Sequence, residues 1–215
     1  MMNKIIKLFY FTLIFITSFH FKSIAEPTFV QSKSLDDAFY LGLNFNNDGT
    51  KMYTVNGGRG ELDAVIEYIL TSAYDISTAT VNNTKVVHRS GDAGNYLPSQ
   101  VVFNNDGTKM FVVNHHGVKT VDEYLLSTAF DVSTATFDSE HNISGQEKRA
   151  NSVAFNNDGT RMIVAGAGNM SQHRIHEYSL SIGFDLSSTV THLNTEDLSS
   201  THDYIDGVTF NYDGT

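Results

Sequence analysis

The sequence Phe45-Asn46-Asn47-Asp48-Gly49-Thr50 occurs four times along the chain. Identical copies occupy residues 103–108 and 155–160, and a fourth copy, residues 210–215, differs only in carrying Tyr212 in place of the second asparagine. The copies begin 52 to 58 residues apart. Because self-similarity at this period is typical of repeat architectures, the chain from Leu41 onward is expected to be one continuous array of similar units.

The residues around the hexapeptide predict a β-hairpin. Apolar side chains alternate along Leu41–Phe45, and a second apolar run returns along Lys51–Val55. The Asp-Gly turn between them favours a hairpin, because glycine takes positive φ without steric cost and Asn or Asp side chains bond the backbone of the turn. A third strand is predicted at Val65–Leu70 and a fourth near Lys85–His88. Each unit is therefore expected to hold four short strands.

A second element, Ala73–Thr80, recurs at residues 129–136 and, less closely, at 183–188. In each unit its aspartate (Asp75, Asp131 or Asp185) follows the tyrosine of the third strand by seven residues. These aspartates stand among Ser and Thr residues, where a carboxylate can bond backbone N–H groups. They are expected to stabilise turns.

Each unit also repeats one basic and one acidic residue, at Lys51 and Glu67, at Lys109 and Glu123, and at Arg161 and Glu177. A repeated base with a repeated acid predicts a cross-strand pair that is copied with each unit. A ring of carboxylates at a functional site is the alternative interpretation.

The second strand of the second unit is apolar on both faces, since it reads Met110-Phe111-Val112-Val113. Such a strand has to be covered from both sides, as in a radial stack of four-stranded sheets. The pattern Val-x-Phe-Asn-x-Asp-Gly-Thr-Lys-Met-Phe-Val-Val, followed by Val-x-Glu-Tyr-x-Leu, resembles the blade repeats of bacterial exported β-propellers, the YVTN-like and WD40-like families. The resemblance extends from Leu41 to Thr215, although the chain has no Trp and therefore lacks the WD dipeptide.

This resemblance implies an all-β propeller of four-stranded antiparallel blades. Three complete blades are expected at about residues 41–96, 97–149 and 150–204, with a partial fourth at 205–215. Propellers have four to eight blades, so we expect the N-terminal part of a larger propeller, in which a candidate strand at Thr28–Ser32 completes the last blade. A ring closed by several three-blade chains is the alternative.

Residues 1–25 resemble a secretory signal peptide. Lys4 and Lys7 precede an apolar run from Leu8 to Phe21, and small residues at Ser23 and Ala25 are suitably spaced for cleavage. The run contains polar residues and is shorter than the roughly 20 apolar residues of a membrane span, so an uncleaved anchor is the less favoured alternative. The mature protein, residues 26–215, is expected to be periplasmic or extracellular and not inserted in a membrane.

Charge and cysteine content restrict the function classes. Residues 1–25 hold three lysines and no acidic residue, and removing them from the 14 basic and 24 acidic residues leaves a net charge of −13. This charge disfavours nucleic acid and anionic lipid as partners. The absence of cysteine excludes disulfides, thiolate metal sites and a cysteine nucleophile.

The hexapeptide turns are candidate calcium loops, because Ca²⁺ prefers oxygen ligands. Each turn supplies only one carboxylate, from Asp48, Asp106, Asp158 and Asp213 in turn, and no acidic residue recurs at a fixed offset to complete a site. A structural role for these four aspartates in the turn is therefore expected.

The loops between the second and third strands differ most between units and are expected to carry the ligand-binding face. Its candidate residues are Arg59, His115, His116, Asn169, His173 and His176. Neutral imidazoles can bind a transition metal. However, adjacent histidines at a strand end point in opposite directions and no carboxylate is placed to orient them, so neither a metal site nor a cofactor is predicted.

We expect an exported binding or scaffolding module that takes a protein, a small molecule or a glycan through these loops. The alternatives are part of a propeller enzyme, lactonase-like or quinoprotein dehydrogenase-like, and a repeat-based surface adhesin. The resemblance places an enzyme's site at the central channel. The positions expected there are mostly apolar (Leu43, Asn44, Val101, Val102, Val153 and Ala154), and no catalytic residue is predicted.

Overall fold

The computed structural model describes residues 29–35, 40–57, 63–87, 97–167, 172–201 and 205–211. The strands within them are β1 (Tyr40–Phe45), β2 (Lys51–Asn56), β3 (Ala64–Ile69), β4 (Thr80–Val86), β5 (Pro98–Phe103), β6 (Lys109–Asn114), β7 (Thr120–Leu126), β8 (Ala135–Asn142), β9 (Ala150–Phe155), β10 (Arg161–Gly166), β11 (Arg174–Leu180) and β12 (Val190–Asp197). Short 3₁₀-helices span Ile76–Thr78 and Val132–Thr134.

These strands form three four-stranded antiparallel sheets, each a meander whose strands pair in chain order. The first strands of the sheets lie side by side, since β5 contacts both β1 and β9. The sheets are three successive blades of a β-propeller, and the predicted fold class is confirmed. We call the first strand of each blade its inner strand.

Two predicted strands differ from those observed. The fourth strand of the first blade begins at Thr80, earlier than predicted, because its half-solvated sequence shows no apolar alternation. Residues 29–32 are not in a strand, and Phe29 and Val30 are each 83% exposed. A strand requires a pairing partner, and none of the described strands pairs with this segment.

The blades pack face to face over apolar cores. One core lies between the first two blades and includes Tyr53, Val55, Met110 and Val112. A second core, between the second and third blades, includes Phe111. Successive residues of β6 therefore face opposite neighbours, which explains why this strand is apolar on both faces.

The hexapeptide closes the hairpin at the start of each blade. In the second blade, Asp106 Oδ1 accepts hydrogen bonds from Thr108 N at 3.0 Å and from Thr108 Oγ1 at 2.6 Å. These bonds hold the pKa of Asp106 below its usual value, and the bond from the Thr108 hydroxyl has the larger effect. The equivalent bonds occur at Asp48 and Asp158, whose pKa values are lowered for the same reason. Asp213 lies outside the described residues.

The glycine of the hexapeptide serves a separate purpose. Gly107 has φ +72°, and a Cβ atom at this position would lie 2.2 Å from the ring of Phe130. Phe130 itself has φ +58°, and its N–H donates to Gly107 O at 2.9 Å. The turn and the Phe130 ring therefore fit together only where the turn residue has no side chain.

The second asparagine of the hexapeptide joins neighbouring blades. Asn47 Nδ2 donates to Asn105 O at 2.7 Å, and Asn105 Nδ2 donates to Asn157 O at 2.6 Å. The three hairpin turns are thus linked in a row by side-chain amides.

The predicted cross-strand pairs form in all three blades. Lys51 Nζ lies 3.0 Å from Glu67 Oε1, Lys109 Nζ lies 2.6 Å from Glu123 Oε1, and Arg161 Nη1 lies 3.3 Å from Glu177 Oε1. Unlike the first two glutamates, which are fully buried, the third is 41% exposed. Glu67 and Glu123 are buried because each also contacts the next blade, and these contacts were not predicted from the sequence.

In the first two blades, the same pair of side chains also binds backbone atoms of the next blade. Lys51 Nζ donates to Phe130 O at 2.9 Å, and Glu67 Oε2 accepts from Val132 N at 3.0 Å. We call this arrangement the interblade clamp: a base that binds the carbonyl of an aromatic residue, and an acid that binds the N–H two residues later. The clamp glutamates are fully buried and the lysines are 24% exposed, and both charges are satisfied by backbone groups, as buried charges require.

Residues 205–211 lie beside β9 in the same way that β9 lies beside β5. Ser99 Oγ donates to Ala150 O at 2.9 Å, and at equivalent positions Asn151 Nδ2 donates to Ile205 O at 2.8 Å. Likewise, Val153 N donates to Gln100 Oε1, and Val208 N donates to Ser152 Oγ. The segment therefore occupies the inner-strand place of a fourth blade.

Candidate ligand-binding cavity

A cavity of about 620 Å³ opens at the start of the inner strands. It is lined by Leu41, Gly42, Leu43, Ser99, Gln100, His115, Asn151 and Asp206. Four of these residues stand four positions before the hexapeptide phenylalanine, one in each unit: Leu41, Ser99, Asn151 and Asp206. We call them the rim residues. The repeat thus brings one position of each unit to the same cavity.

β-Bulges place two of the rim residues. In the second blade, Pro98 pairs with Asn114 and Gln100 with Val113, so Ser99 has no partner of its own on β6. In the third blade, Ala150 and Ser152 pair with successive residues of β10, so Asn151 between them is likewise unpaired in the register. A bulge redirects the side chain of the extra residue, and bulges are common beside functional sites.

The first unit approaches the cavity through its backbone. A Cβ atom at Gly42 would lie 2.6 Å from Gln100 Cα and 2.8 Å from Ser99 O. Glycine at this position therefore permits close contact between β1 and β5. Leu41 and Leu43 on either side are 53% and 55% exposed and give this side of the cavity an apolar wall.

A hydrogen-bonded pair also lines the cavity. His115 Nδ1 and Asn151 Oδ1 are 2.7 Å apart. Because the Asn151 amide nitrogen donates to Ile205 O, its oxygen faces the imidazole, and the neutral His115 ring must carry its proton on Nδ1. The other ring nitrogen, Nε2, is then a hydrogen-bond acceptor.

Gln100 and Asp206 supply further polar groups. Gln100 Oε1 accepts from Ser152 Oγ at 2.9 Å and from Val153 N at 2.7 Å, which fixes the orientation of its amide. Asp206 is exposed and contributes the carboxylate of the lining. An amide, an imidazole, a hydroxyl and a carboxylate therefore face one cavity, beside the apolar wall.

A second cavity of about 320 Å³ lies further along the inner strands. Its lining includes five of the six positions that the sequence predicted for the central channel: Leu43, Asn44, Val102, Val153 and Ala154. The sixth, Val101, is fully buried in the core between the first and second blades. Ser99 and Asn151 were missed because the channel positions predicted for the second and third units begin at Val101 and Val153, after the bulges.

The histidines predicted for the ligand face do not gather at one site. His115 lines the larger cavity and His116 is exposed, whereas His173 and His176 are buried within the third blade. Arg59 and Asn169 lie outside the described residues.

His176 is buried beside the second blade. Its Nδ1 lies 2.9 Å from Thr195 Oγ1, and its Nε2 lies 3.5 Å from Glu147 Oε2. Within the described part of the chain, no three His, Cys, Asp or Glu side chains are grouped so that they could hold a metal ion.

The chain matches no protein-family model and no curated protein. Its fold is similar to that of several solved structures. A candidate 6-phosphogluconolactonase from Bacteroides uniformis matches with a TM-score of 0.57 at 8% identity, over 81% of this chain and 45% of that chain. The periplasmic gluconolactonase of Pseudomonas aeruginosa matches with a TM-score of 0.54 at 16% identity, over 73% of this chain and 39% of that chain.

A protein from Lactobacillus plantarum matches with a TM-score of 0.51 at 13% identity, over 73% of this chain and 40% of that chain. The chain thus spans less than half the length of these three structures. At such identities the likeness concerns the fold.

The described residues include no helix that is long and apolar enough to cross a membrane.

Proposed function

We propose that the protein is an exported β-propeller binding module that holds a small neutral polyhydroxylated molecule, a sugar or a sugar lactone, in the larger cavity. The observation that carries this proposal is the variation at the rim residues: Leu41, Ser99, Asn151 and Asp206 differ, whereas the hexapeptide four residues later is nearly invariant. Repeated features maintain the blade, and a varying position at a shared cavity suits recognition.

The chemistry of the lining favours a neutral polyol. Asn151, Gln100 and His115 offer amide and imidazole groups, which hydrogen-bond hydroxyls, and Leu41 and Leu43 offer an apolar surface for the carbon face of a sugar ring. The carboxylate of Asp206 and the net charge of −13 after residue 25 disfavour an anion. Export itself rests on the signal-peptide pattern of residues 1–25.

Ligand titration tests this function. Glucose and glucono-1,5-lactone would be titrated by calorimetry and by ligand-observed NMR, and we expect a dissociation constant in the range of about 1 mM or below. Asn151→Ala and His115→Ala should each weaken binding at least tenfold, or about 1.4 kcal/mol. Asn194→Ala, an exposed asparagine on β12, is the control and should bind as the unaltered protein does.

Asn151→Ala also removes the bond to Ile205 O, so the melting temperature of each variant is measured as well. Absence of binding to any neutral sugar or lactone would contradict the proposal, as would binding that neither variant changes.

A second candidate function is lactone hydrolysis in the same cavity. It is favoured by His115, whose Nε2 is an acceptor and therefore suited to remove a proton from water as a general base, and by the gluconolactonase names of two structural neighbours. Proton release from glucono-1,5-lactone above the spontaneous rate, abolished in His115→Ala, would establish it. Binding of the lactone without faster hydrolysis would support the binding module and contradict the enzyme.

A further inference from the structure

The two cavities are adjoining parts of one groove along the inner strands. Leu43 and Gln100 line both cavities, whereas the rim residues line only the larger one. From Asn151 at the rim to Phe155 in the smaller cavity, the lining follows β9 for about 13 Å, since an extended chain rises about 3.3 Å per residue. A single sugar ring is much shorter than this, so the groove has room for a second ring.

Gln100 stands where the two cavities meet, and its amide has a fixed orientation. Its Oε1 accepts from Val153 N at 2.7 Å and from Ser152 Oγ at 2.9 Å. Because Val153 N is a donor, the atom that faces it must be the amide oxygen, and the two bonds use both lone pairs of that oxygen. Nε2, with its two N–H donors, is therefore the group that Gln100 offers to a ligand. A ligand that passes Gln100 has to present an acceptor there.

Ser152 holds the Gln100 amide in this orientation. The Ser152 side chain is fully buried, and its Oγ accepts from Val208 N at 3.0 Å. The hydroxyl hydrogen is then directed to Gln100 Oε1. One hydroxyl thus connects β5, β9 and residues 205–211. The donors of Gln100 are in place before a ligand arrives, which lowers the entropic cost of binding.

The lining of the smaller cavity suits a second uncharged sugar unit. The described residues that line it include no charged side chain. Phe103, Phe155 and Phe184 are partly buried there and supply aromatic surface. Asn105 and Thr209 are exposed and supply an amide and a hydroxyl. Apolar and aromatic walls with a few polar groups are typical of small-molecule sites.

We propose that the ligand is a linear neutral oligosaccharide of at least two sugar units, an inference that rests on the proposed binding function. One unit occupies the larger cavity and the next unit occupies the smaller cavity. Gln100 Nε2 donates to the glycosidic oxygen between them, beside Leu43. A glycosidic oxygen carries no hydrogen and can only accept, as this position requires. Gln100 is thus a specificity-determining residue, and Ser152 is a positioning residue that acts through it.

Titration of a monosaccharide and two disaccharides tests the proposal. Glucose is compared by calorimetry with cellobiose and maltose, which differ in their linkage. The better disaccharide should bind with a dissociation constant about tenfold or more below that of glucose. In ligand-observed NMR, protons of both of its rings should receive saturation from the protein, because both rings lie against the groove.

Four variants locate the second unit. Thr209→Phe fills the smaller cavity from an exposed position and should make the disaccharide bind no more tightly than glucose. Thr191→Phe, the same change at an exposed position on β12, is the matched control and should keep the gain. Gln100→Glu still accepts from Val153 N and Ser152 Oγ but has no N–H donors, so it should also remove the gain. Ser152→Ala should reduce the ratio of the two dissociation constants by a smaller factor. The melting temperature of each variant is measured alongside.

Binding of glucose without a gain for either disaccharide would overturn this proposal and support the binding function alone. Absence of binding by all three sugars would contradict the binding function and this proposal with it. A gain that persists in Thr209→Phe or in Gln100→Glu would overturn the placement of the second unit, and an unchanged ratio in Ser152→Ala would contradict the positioning role.

Discussion

A hydrogen bond of 2.6 Å joins the carboxylate of Glu123 in the second blade to the backbone N–H of Leu186 in the third. The same carboxylate is paired with Lys109 at 2.6 Å and is fully buried. A bond between an ionised acceptor and a backbone donor is stronger than a neutral one. One side chain therefore holds two strands of its own blade and the start of the next blade's turn.

Replacing this carboxylate should destabilise the protein markedly. Glu123→Gln removes a fully buried carboxylate and leaves the partly buried Lys109 without its counter-charge, and we expect a loss of about 3 kcal/mol in the free energy of unfolding. Glu177→Gln is the matched control, because its pair with Arg161 is half exposed and should contribute less than about 1 kcal/mol. Urea unfolding measures both, and equal losses would show that the contact with the next blade adds nothing.

The tyrosines of the third strands provide another comparison across the blade boundary. Tyr124 OH donates to Val87 O at 2.7 Å in a buried site, so Tyr124→Phe should cost about 1 to 2 kcal/mol by leaving a carbonyl unsatisfied. Tyr178 OH is buried without a hydrogen-bond partner in the described residues, so Tyr178→Phe should be neutral or stabilising. Thermal unfolding would measure the two variants, and a reversed order would refute the assignment.

Glycine is required in the hexapeptide for two reasons that act together. In Gly107→Ala, the added methyl group would meet the Phe130 ring at a backbone conformation with φ +72°, and a loss of about 3 kcal/mol is expected. Gly145→Ala adds a methyl group with no heavy atom within 4 Å and should change stability by less than about 0.5 kcal/mol. A comparable effect of both substitutions in urea unfolding would rule out this explanation.

The turn aspartates make stability depend on pH in the acid range. The hydroxyl and N–H of the following threonine hold the pKa of Asp106 and of Asp158 below 3.8. Since their folded-state pKa values are depressed, the stability they contribute is present above about pH 4 and is lost as pH falls through the folded pKa.

The double variant Asp106→Asn, Asp158→Asn should therefore unfold at lower urea near neutral pH and show a flatter decline between about pH 4 and pH 2. Asp138→Asn, at an exposed position on β8, serves as the control. Parallel pH profiles for the double variant and the unaltered protein would exclude a contribution from these turns.

The sequence predicted the repeat, the hairpin and the four strands per blade because these depend on local patterns. Alternating apolar residues on either side of Asp-Gly specify a hairpin wherever they occur. The cross-strand pair of Lys109 and Glu123 was predictable because it is repeated in every unit. Its bonds to Phe184 O and Leu186 N were not predictable, because these partners are backbone atoms, which every residue type carries.

The larger cavity was missed for a different reason. Bulges at Ser99 and Asn151 interrupt the alternation of apolar residues, so the channel positions predicted for the second and third units begin three residues after the strands do and leave these two rim residues out. Comparing the residue four positions before the hexapeptide phenylalanine in each unit would have revealed them. That His115 lies against Asn151 depends on contact between blades, which one sequence does not specify.

The interblade clamp binds main-chain atoms, and this has consequences for how such a protein can evolve. Val132 and Leu186 offer the same N–H to the preceding glutamate although their side chains differ. Exchange of one apolar residue for another at these two buried positions therefore leaves the hydrogen bonds intact, whereas proline, which has no N–H to donate, would remove them. A duplicated or exchanged unit therefore keeps this part of the contact between blades, and only the apolar side chains of the interblade core have to be matched anew.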